Sequence, residues 1–476
     1  MTEVARTTRE RLRLIGESLN PGESVADPTA WVNSTSIRVG AAAAYLIVAV
    51  LTSRIPSSDE VLRAARDWRS DGLAALVDAL VRRRRFGRLA PVRVSRGVVV
   101  DVTDTGRTPY TTGIQRVARE AVARWPRAEI EFVSWDRAQP VLRASSSAEL
   151  RLVLGTDSDL RPAAEEGVVV VPFRGSYVLP EIAVARHRFQ GVHSIAANSG
   201  SRMVAIGFDC IAVTTAEIAP PGMPAAFANY LSALARFDEV VAISPAAGDE
   251  FEGWRRMLGG AGLSGPRISV AELPFEVGVV TEPVVEGVRR ELALHNDVPL
   301  VVAVGSHEPR KNHVTFLHAC ELLWQQGRTF AVVMAGGNSW DSDSFDELVA
   351  ELKRRGRPLT TISRAADETI WSLYRLARFS VFCSLNEGFG LPVAESLASG
   401  TPVITSDFGS MRTLAEDNGG VIVDPRRPEA IAAAMAELLE DDAALARLRA
   451  ASASLGSATW DDYAAAIWSV IGEPVR

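Results

Sequence analysis

Two carboxylates separated by seven residues, Glu387 and Glu395, bracket the stretch Gly388-Phe389-Gly390-Leu391-Pro392-Val393-Ala394. An ionised carboxylate accepts hydrogen bonds from vicinal hydroxyls in bidentate fashion, so one could hold a sugar ring and the other a ribose. Gly388 and Gly390 permit backbone geometry that a Cβ forbids, which lets a ligand approach the main chain. Pro392 suits the first turn of a helix and Gly400 its end, which predicts a helix over Pro392–Ser399. First-turn amides of that helix point back at the glycine turn, a place for anions and sugar hydroxyls. On spacing alone, the alternative is an ordinary βαβ connection with one surface Glu and one helix-face Glu.

A second stretch, Gly305-Ser306-His307-Glu308-Pro309-Arg310-Lys311-Asn312, follows an apolar run and precedes a helical pattern. Arg310 offers a planar fork and Lys311 a point charge, a pair suited to a diphosphate; a solvated basic pair is the alternative. Lysine is rare in this chain, occurring at Lys311 and Lys353 and nowhere else, so its use at 311 is not background composition. The third stretch is Thr111-Thr112-Gly113-Ile114-Gln115-Arg116. Gly113 at a helix start exposes amides to a phosphate. Thr112 acting as a plain helix cap is the competing reading.

These stretches need rigid elements behind them. The 476 residues are 47% hydrophobic and 23% charged, a globular composition long enough for about three domains. Residues 1–95 read as helical, with Ser57 or Ser58 capping a helix and Asp59 and Glu60 in its first turn. The apolar run Val39–Leu51 is shorter than the roughly 20 residues a membrane-spanning helix needs, and a buried helix is predicted there. From residue 96 the grammar becomes alternating strand and helix, with strands at 97–104, 129–135, 167–173, 202–209 and 239–244. A linker is expected around Pro274 to Pro283, after which the pattern restarts. The expected organisation is a helical extension at 1–95, α/β domains at 96–283 and 284–459, each on a parallel sheet, and a last helix at 460–476. Ligands of such sheets sit at the carboxyl ends of the strands, so the cleft between the domains is the natural site.

The pieces TTGIQRV, VGSHEPRKN and NEGFGLPVAESLASGTPVI, in this order and on these elements, resemble the retaining nucleotide-sugar glycosyltransferases of family GT4, which have the GT-B fold. The resemblance runs from about Gly97 to the C-terminus. It implies two Rossmann-like domains facing across a cleft, and hexosyl transfer from a nucleotide-diphosphate sugar, GDP-mannose among the candidates, to a glycan or lipid-linked glycan acceptor. The setting implied is bacterial surface polysaccharide. It implies that Arg310 and Lys311 hold the donor diphosphate and take part in catalysis with Glu387. Glu387 and the amides of Gly388, Phe389, Gly390 and Leu391 would meet the donor sugar, and Glu395 the ribose. Gly113, Gly305 and Ser306 would line the diphosphate, and the strand ending at Arg364 the base. No metal or other cofactor is expected, and the final helix after Trp460 would cross back onto the first domain. Relatives often carry Tyr-Asp-x-Ile-Pro where this chain has Phe208-Asp209-Cys210-Ile211-Ala212, which leaves the acceptor side less defined. Its candidates are Asp209, which could equally cap a strand end, and His187 and His193, for which a helix surface is the alternative.

Composition narrows the rivals. A net charge of −7 argues against a general nucleic-acid binder. Three scattered cysteines make neither a disulfide framework nor a metal spacing, which fits a cytoplasmic protein; residues 1–95 could bring it to a membrane face or a protein partner. Asp157-Ser158-Asp159 and Asp341-Ser342-Asp343 have the form of a metal-binding Asp-x-Asp but lie before helices, where caps are expected. His307, His313 and His318 lack a matching zinc ligand set. A nucleotide-sugar epimerase and a catalytically silent subunit are the remaining alternatives.

Overall fold

The computed structural model describes residues 3–34, 37–82, 90–109, 113–155, 167–275, 277–452 and 458–472. Two sheets carry the molecule. The first contains β1 (Val92–Ser95), β2 (Val98–Asp101), β3 (Ile130–Trp135), β4 (Leu142–Ala144), β5 (Val169–Pro172), β6 (Ser176–Leu179), β7 (Arg202–Gly207), β8 (Glu239–Ala242) and β9 (Arg267–Val270), in the order β1-β5-β4-β3-β2-β6-β7-β8-β9. The second contains β10 (Leu300–Val304), β11 (Ala331–Ala335), β12 (Leu359–Ile362), β13 (Phe379–Phe382), β14 (Val403–Ser406) and β15 (Gly420–Val423), in the order β12-β11-β10-β13-β14-β15. All pairings in the second sheet are parallel. Its central strands are wholly buried runs such as Phe379–Phe382, as helices on both faces require.

The first sheet departs from the expected parallel one. β4 runs antiparallel to both β3 and β5. β1, β4, β6 and β9 are not among the strands the sequence predicts. β1 also lies inside the stretch read as helical, and its pairing with β5 ties that stretch to the sheet.

The N-terminal helices form a layer of this domain, sharing one continuous apolar core with the first sheet. Helix Ala41–Thr52 is buried from Ala43 through Leu51, against helix Ser58–Arg82, β1 and β5. Its apolar run is therefore core. Among the described residues no helix is long and apolar enough to cross a membrane. The buried Arg11 guanidinium ties the layer down, donating to Ser53 Oγ at 2.7 Å and to the Ala90 carbonyl at 2.6 Å. Ser57 caps helix Ser58–Arg82: its Oγ accepts from the Glu60 amide at 3.3 Å while the Glu60 carboxylate accepts from the Ser57 amide at 2.9 Å.

Helix Trp460–Ile471 packs on helix Gly113–Arg124 of the first domain. Trp125 Nε1 donates to the Ala464 carbonyl at 3.0 Å, and Trp460, Tyr463 and Ile467 join the first core. This helix thus returns from the second domain to the first.

Candidate active site

The glycine stretch folds as a turn into helix Leu391–Ala398, one residue ahead of the predicted start, with Pro392 in its first turn. Gly390 sits at φ +94 and Gly400 at φ +74, left-handed conformations that favour glycine at these two ends. Gly388 is held by proximity. A Cβ there would lie 2.3 Å from the Phe208 carbonyl oxygen of the first domain, so the two backbones meet in a way no other residue allows. Ser244 Oγ donates to the Gly388 carbonyl at 2.5 Å from the same side. Among the described residues the amides of Gly388, Phe389, Gly390 and Leu391 donate to no partner. They form an amide cradle at a helix start.

Glu387 is the centre of the site. Its Oε1 accepts from Lys311 Nζ at 2.6 Å and from Ser384 Oγ at 2.6 Å, and its Oε2 lies 2.8 Å from Arg310 Nη1. Burial pushes this carboxyl up, but the Arg310 and Lys311 charges outweigh it and bring it down to about 2. Arg310 is fixed on three sides: besides Glu387, its Nη1 donates to the Asn386 carbonyl at 2.8 Å and its Nη2 to Glu308 at 2.6 Å. Burial draws the Lys311 ammonium below its usual range, against the pull of Glu387. The ammonium also sits 4.9 Å from the Phe382 ring centroid. One of its three N–H groups serves Glu387.

Gly305, at the end of β10, backs onto this cluster with the Lys311 side chain beside it, and Ser306 follows. Asn312, at φ +57, locks the loop by donating to the Cys383 carbonyl at 3.1 Å and the Pro425 carbonyl at 2.7 Å. Glu395 lies one turn into helix Leu391–Ala398 and accepts from Arg116 Nη1 of the first domain at 2.9 Å. Burial raises its pKa, and Arg116 opposes the rise. Gly113 starts the helix that carries Arg116, with space for a Cβ only as far as Leu391 Cδ1, 4.0 Å away. Thr111 and Thr112 lie outside the described residues.

Asp209, just past the end of β7, faces the cluster from the first domain. It both caps and lines: Oδ1 accepts from the Ile211 amide at 3.1 Å, and with Arg310 it borders a cavity of about 320 Å³ between the domains. Burial pushes its carboxyl up to about 6; Arg310 opposes this and Glu250 and Glu387 add to it.

Other expected residues fall elsewhere. Phe389 is 5% exposed and stacks on Phe275 of the first domain, ring centroids 6.0 Å apart, so its side chain seals the domain contact. Arg364 is exposed beyond β12 and does not join the cluster. His193 faces the N-terminal layer, its Nε2 accepting from Arg236 at 3.1 Å, and neither it nor His187 lines the cavity. This differs from the acceptor-side expectation: His193 is held beside Ser58 and Arg236, and His187 is not among the residues that line the cavity.

Among the described residues no group of three or more His, Cys, Asp or Glu could hold a metal ion. His307 and His313 are buried against Phe345. Asp343 and Asp346 occupy the first turn of helix Asp343–Arg354, facing its positive end, although Ser342 makes no side-chain cap. Asp157 to Asp159 lie outside the described residues.

Sequence reasoning missed Arg116, Glu308, Ser384 and Glu250. Glu250 joins the domains, accepting from the Cys210 amide at 2.6 Å and from Asn386 Nδ2 at 3.2 Å. Arg116 stands three residues after Gly113, where a helix places it on the same face, and that spacing was the available signal.

Residues 285–454 match the family model described as glycosyl transferases group 1. The serotype-specific mannosyltransferase WbdA of Escherichia coli is 24% identical over 338 residues, 68% of this chain and 40% of that protein. The O-antigen chain mannosyltransferase B of Escherichia coli is 34% identical over 140 residues, 29% of this chain and 36% of that protein. The D-inositol 3-phosphate glycosyltransferase of Xylanimonas cellulosilytica is 33% identical over 228 residues, 44% of this chain and 52% of that protein. The chain thus spans about two fifths of the length of the first of these relatives. Among solved structures, Anabaena HepE in complex with UDP and glucose superposes with a TM-score of 0.57 at 15% identity, over 79% of this chain and 100% of that one, a likeness of fold. Residues 285–454 are thus similar to the group 1 glycosyl transferases and carry the cluster of Glu387, Arg310 and Lys311, on the second of two α/β domains that together have the GT-B fold.

Proposed function

We propose that the protein transfers a hexose from a nucleotide-diphosphate sugar to a hydroxyl of a glycan or lipid-linked glycan, with retention at the anomeric carbon, in bacterial surface polysaccharide synthesis. The observation that carries this reading is the buried Glu387 carboxylate held between Lys311 and Arg310, beside an amide cradle and across from Asp209.

In this mechanism the remaining N–H groups of Lys311 and the Arg310 fork receive the donor diphosphate. They stabilise the charge that grows on it as the glycosidic bond breaks, which is where preorganised cations lower a barrier most. The unpartnered amides of Gly388 to Leu391 and the Glu387 carboxylate, already ionised, orient the sugar. Glu395 exchanges Arg116 for the ribose hydroxyls. The acceptor hydroxyl comes from the Asp209 side and attacks the face the diphosphate leaves, passing its proton to the departing diphosphate oxygen as the new glycosidic bond forms. No covalent nucleophile is assigned; the positive charge of the oxocarbenium-like state lies between Glu387 and the departing diphosphate. The cations take the part a divalent metal plays elsewhere. Mannose from GDP-mannose is the favoured donor, as the names of the mannosyltransferase relatives suggest. Three buried, unpaired cysteines, Cys210, Cys320 and Cys383, suit a cytoplasmic placement.

A thermal-shift panel of GDP, UDP, ADP, GDP-mannose and UDP-glucose tests the reading, because a ligand of the native state raises the melting temperature by mass action. One nucleotide, with its sugar, should shift it clearly. A folded protein indifferent to all five would overturn the proposal.

A further inference from the structure

The cavity beside the donor cluster has a chemistry of its own. Asp104, Glu181 and Asp209 supply three carboxylates to its lining, and Arg310 is the cation among them. Arg310 is already engaged by Glu387 and Glu308. A second guanidinium, Arg188, lies behind the wall, 1% exposed, and each of its three nitrogens is used: Nε on Asp101 at 3.1 Å, Nη1 on Asp104 at 2.6 Å and Nη2 on Glu181. Its charge is consumed within the wall, and Asp101 draws on it too.

The carboxylates differ in what they have left to offer. Glu181 is saturated: it accepts from the Asp104 amide at 2.7 Å and from the Thr105 amide and hydroxyl at 2.7 and 2.6 Å. It acts as a brace. Asp104 is braced by it and by Arg188 at Oδ2, yet its side chain is 50% exposed, and Oδ1 has no partner among the described residues. Asp209 likewise spends Oδ1 on the Ile211 amide and keeps Oδ2. Two oriented oxygens therefore remain for incoming O–H donors, and charged acceptors make the stronger kind of hydrogen bond. The rest of the lining is largely apolar, with Ile211, Met223 and Phe227 from the first domain and Trp340 from the second.

We infer that this cavity is an acceptor site for an uncharged hexoside, gripped through its hydroxyls by Asp104 and Asp209 with its apolar face or aglycone against Phe227 and Trp340, and that it rejects phosphorylated acceptors. The inference rests on the transferase reading above and adds the acceptor class to it. A phosphate ester would bring between one and two negative charges into a wall of three carboxylates whose described cations are already committed, Arg188 to Asp104 and Glu181, and Arg310 to Glu308, Glu387 and the donor diphosphate. A neutral sugar meets no such repulsion and supplies the hydroxyl donors that Asp104 and Asp209 lack.

The test is ligand-detected NMR on the full chain with p-nitrophenyl α-D-mannoside and with its 6-phosphate, run beside the nucleotide thermal-shift panel. The neutral glycoside should bind at least tenfold more tightly than its 6-phosphate. Trp340→Ala, at a partly exposed position where folding is least at risk, should weaken the neutral glycoside severalfold without changing the nucleotide shift. Asp104→Asn should narrow the gap between the two ligands at least threefold. Equal or tighter binding of the 6-phosphate, binding of neither compound by protein that still gives its nucleotide shift, or unchanged discrimination in Asp104→Asn overturns the inference. Loss of the nucleotide shift itself counts against the donor reading instead, so the two failures are told apart.

Discussion

Arg116 of the first domain and Glu395 of the second are joined by a hydrogen-bonded ion pair of 2.9 Å across the cleft. The Arg116 guanidinium also lies 6.0 Å from the Trp460 ring of the last helix, so one side chain touches three parts of the chain. Glu395 is only 12% exposed at its side chain. Removing its partner leaves a mostly buried carboxylate unpaired, while removing both partners does not. Arg116→Ala should cost about 1–3 kcal/mol of stability in urea unfolding, the scale of a buried group left without its partner. The double variant with Glu395→Gln should recover part of that loss. Strict additivity would mean the pair is not coupled.

Glu387→Gln removes the counter-charge of Lys311 and Arg310 without changing shape. Turnover should fall by about 10²–10³, the scale of one lost electrostatic contact in an active site. Affinity for the nucleoside diphosphate should hold or rise, because the two cations are freed for phosphate. Near-normal turnover in a coupled assay would remove Glu387 from the chemistry.

The same residue predicts part of the acid response. Its folded pKa, about 2, lies below the ordinary 4.5, so its contribution to stability is present above pH 4.5 and is lost as pH falls toward 2. Urea midpoints of parent and Glu387→Gln should therefore converge over that window on acidification.

Asp209 has the opposite sign. Burial pushes it from 3.8 to about 6, so the folded state prefers the protonated acid, and stability declines as pH rises through that interval. Asn keeps an oxygen for the Ile211 amide and has no charge to desolvate. Asp209→Asn should thus be more stable than the parent by about 2–3 kcal/mol above pH 6, with the gap closing toward pH 4. A pH-independent difference would contradict the buried placement.

Lys311→Ala should weaken nucleoside diphosphate binding by about 1.5–3 kcal/mol, the scale for a charge-assisted contact, with the loss read by calorimetry. If Arg310 and Lys311 do the work of a metal, EDTA should leave transfer intact. Activity that EDTA abolishes and a divalent cation restores would overturn the metal-free reading.

Legibility followed the range of the interactions. The GFGLP turn, the helix behind it and the parallel second sheet are written in local signals: glycines with positive φ, a first-turn proline, mostly apolar runs of four or five residues. Lys311 also stands out in the sequence, as one of two lysines in the chain. β4 could not be read that way, because Leu142–Ala144 is a strand only by virtue of β3 and β5 on either side. Nor could the exclusion of His193 from the cleft, which follows from the way helix Arg186–Asn198 turns it toward Arg236.

The chain's order of residues was enough to specify two α/β domains and to mark Glu387, Glu395, Arg310 and Lys311, since turns, caps and hydrophobic period act between near neighbours. Folding in three dimensions set what each of them faces. Lys311 and Glu387 lie 76 positions apart in sequence and 2.6 Å apart in space, and Arg116 and Glu395 lie 279 apart and meet at 2.9 Å. Such pairings, the ionisation they impose and the carboxylate-lined cavity at Asp104 and Asp209 depend on how the sheets twist and where the domains close. Those properties arise from the packing of the whole core and reside in no short stretch of the chain.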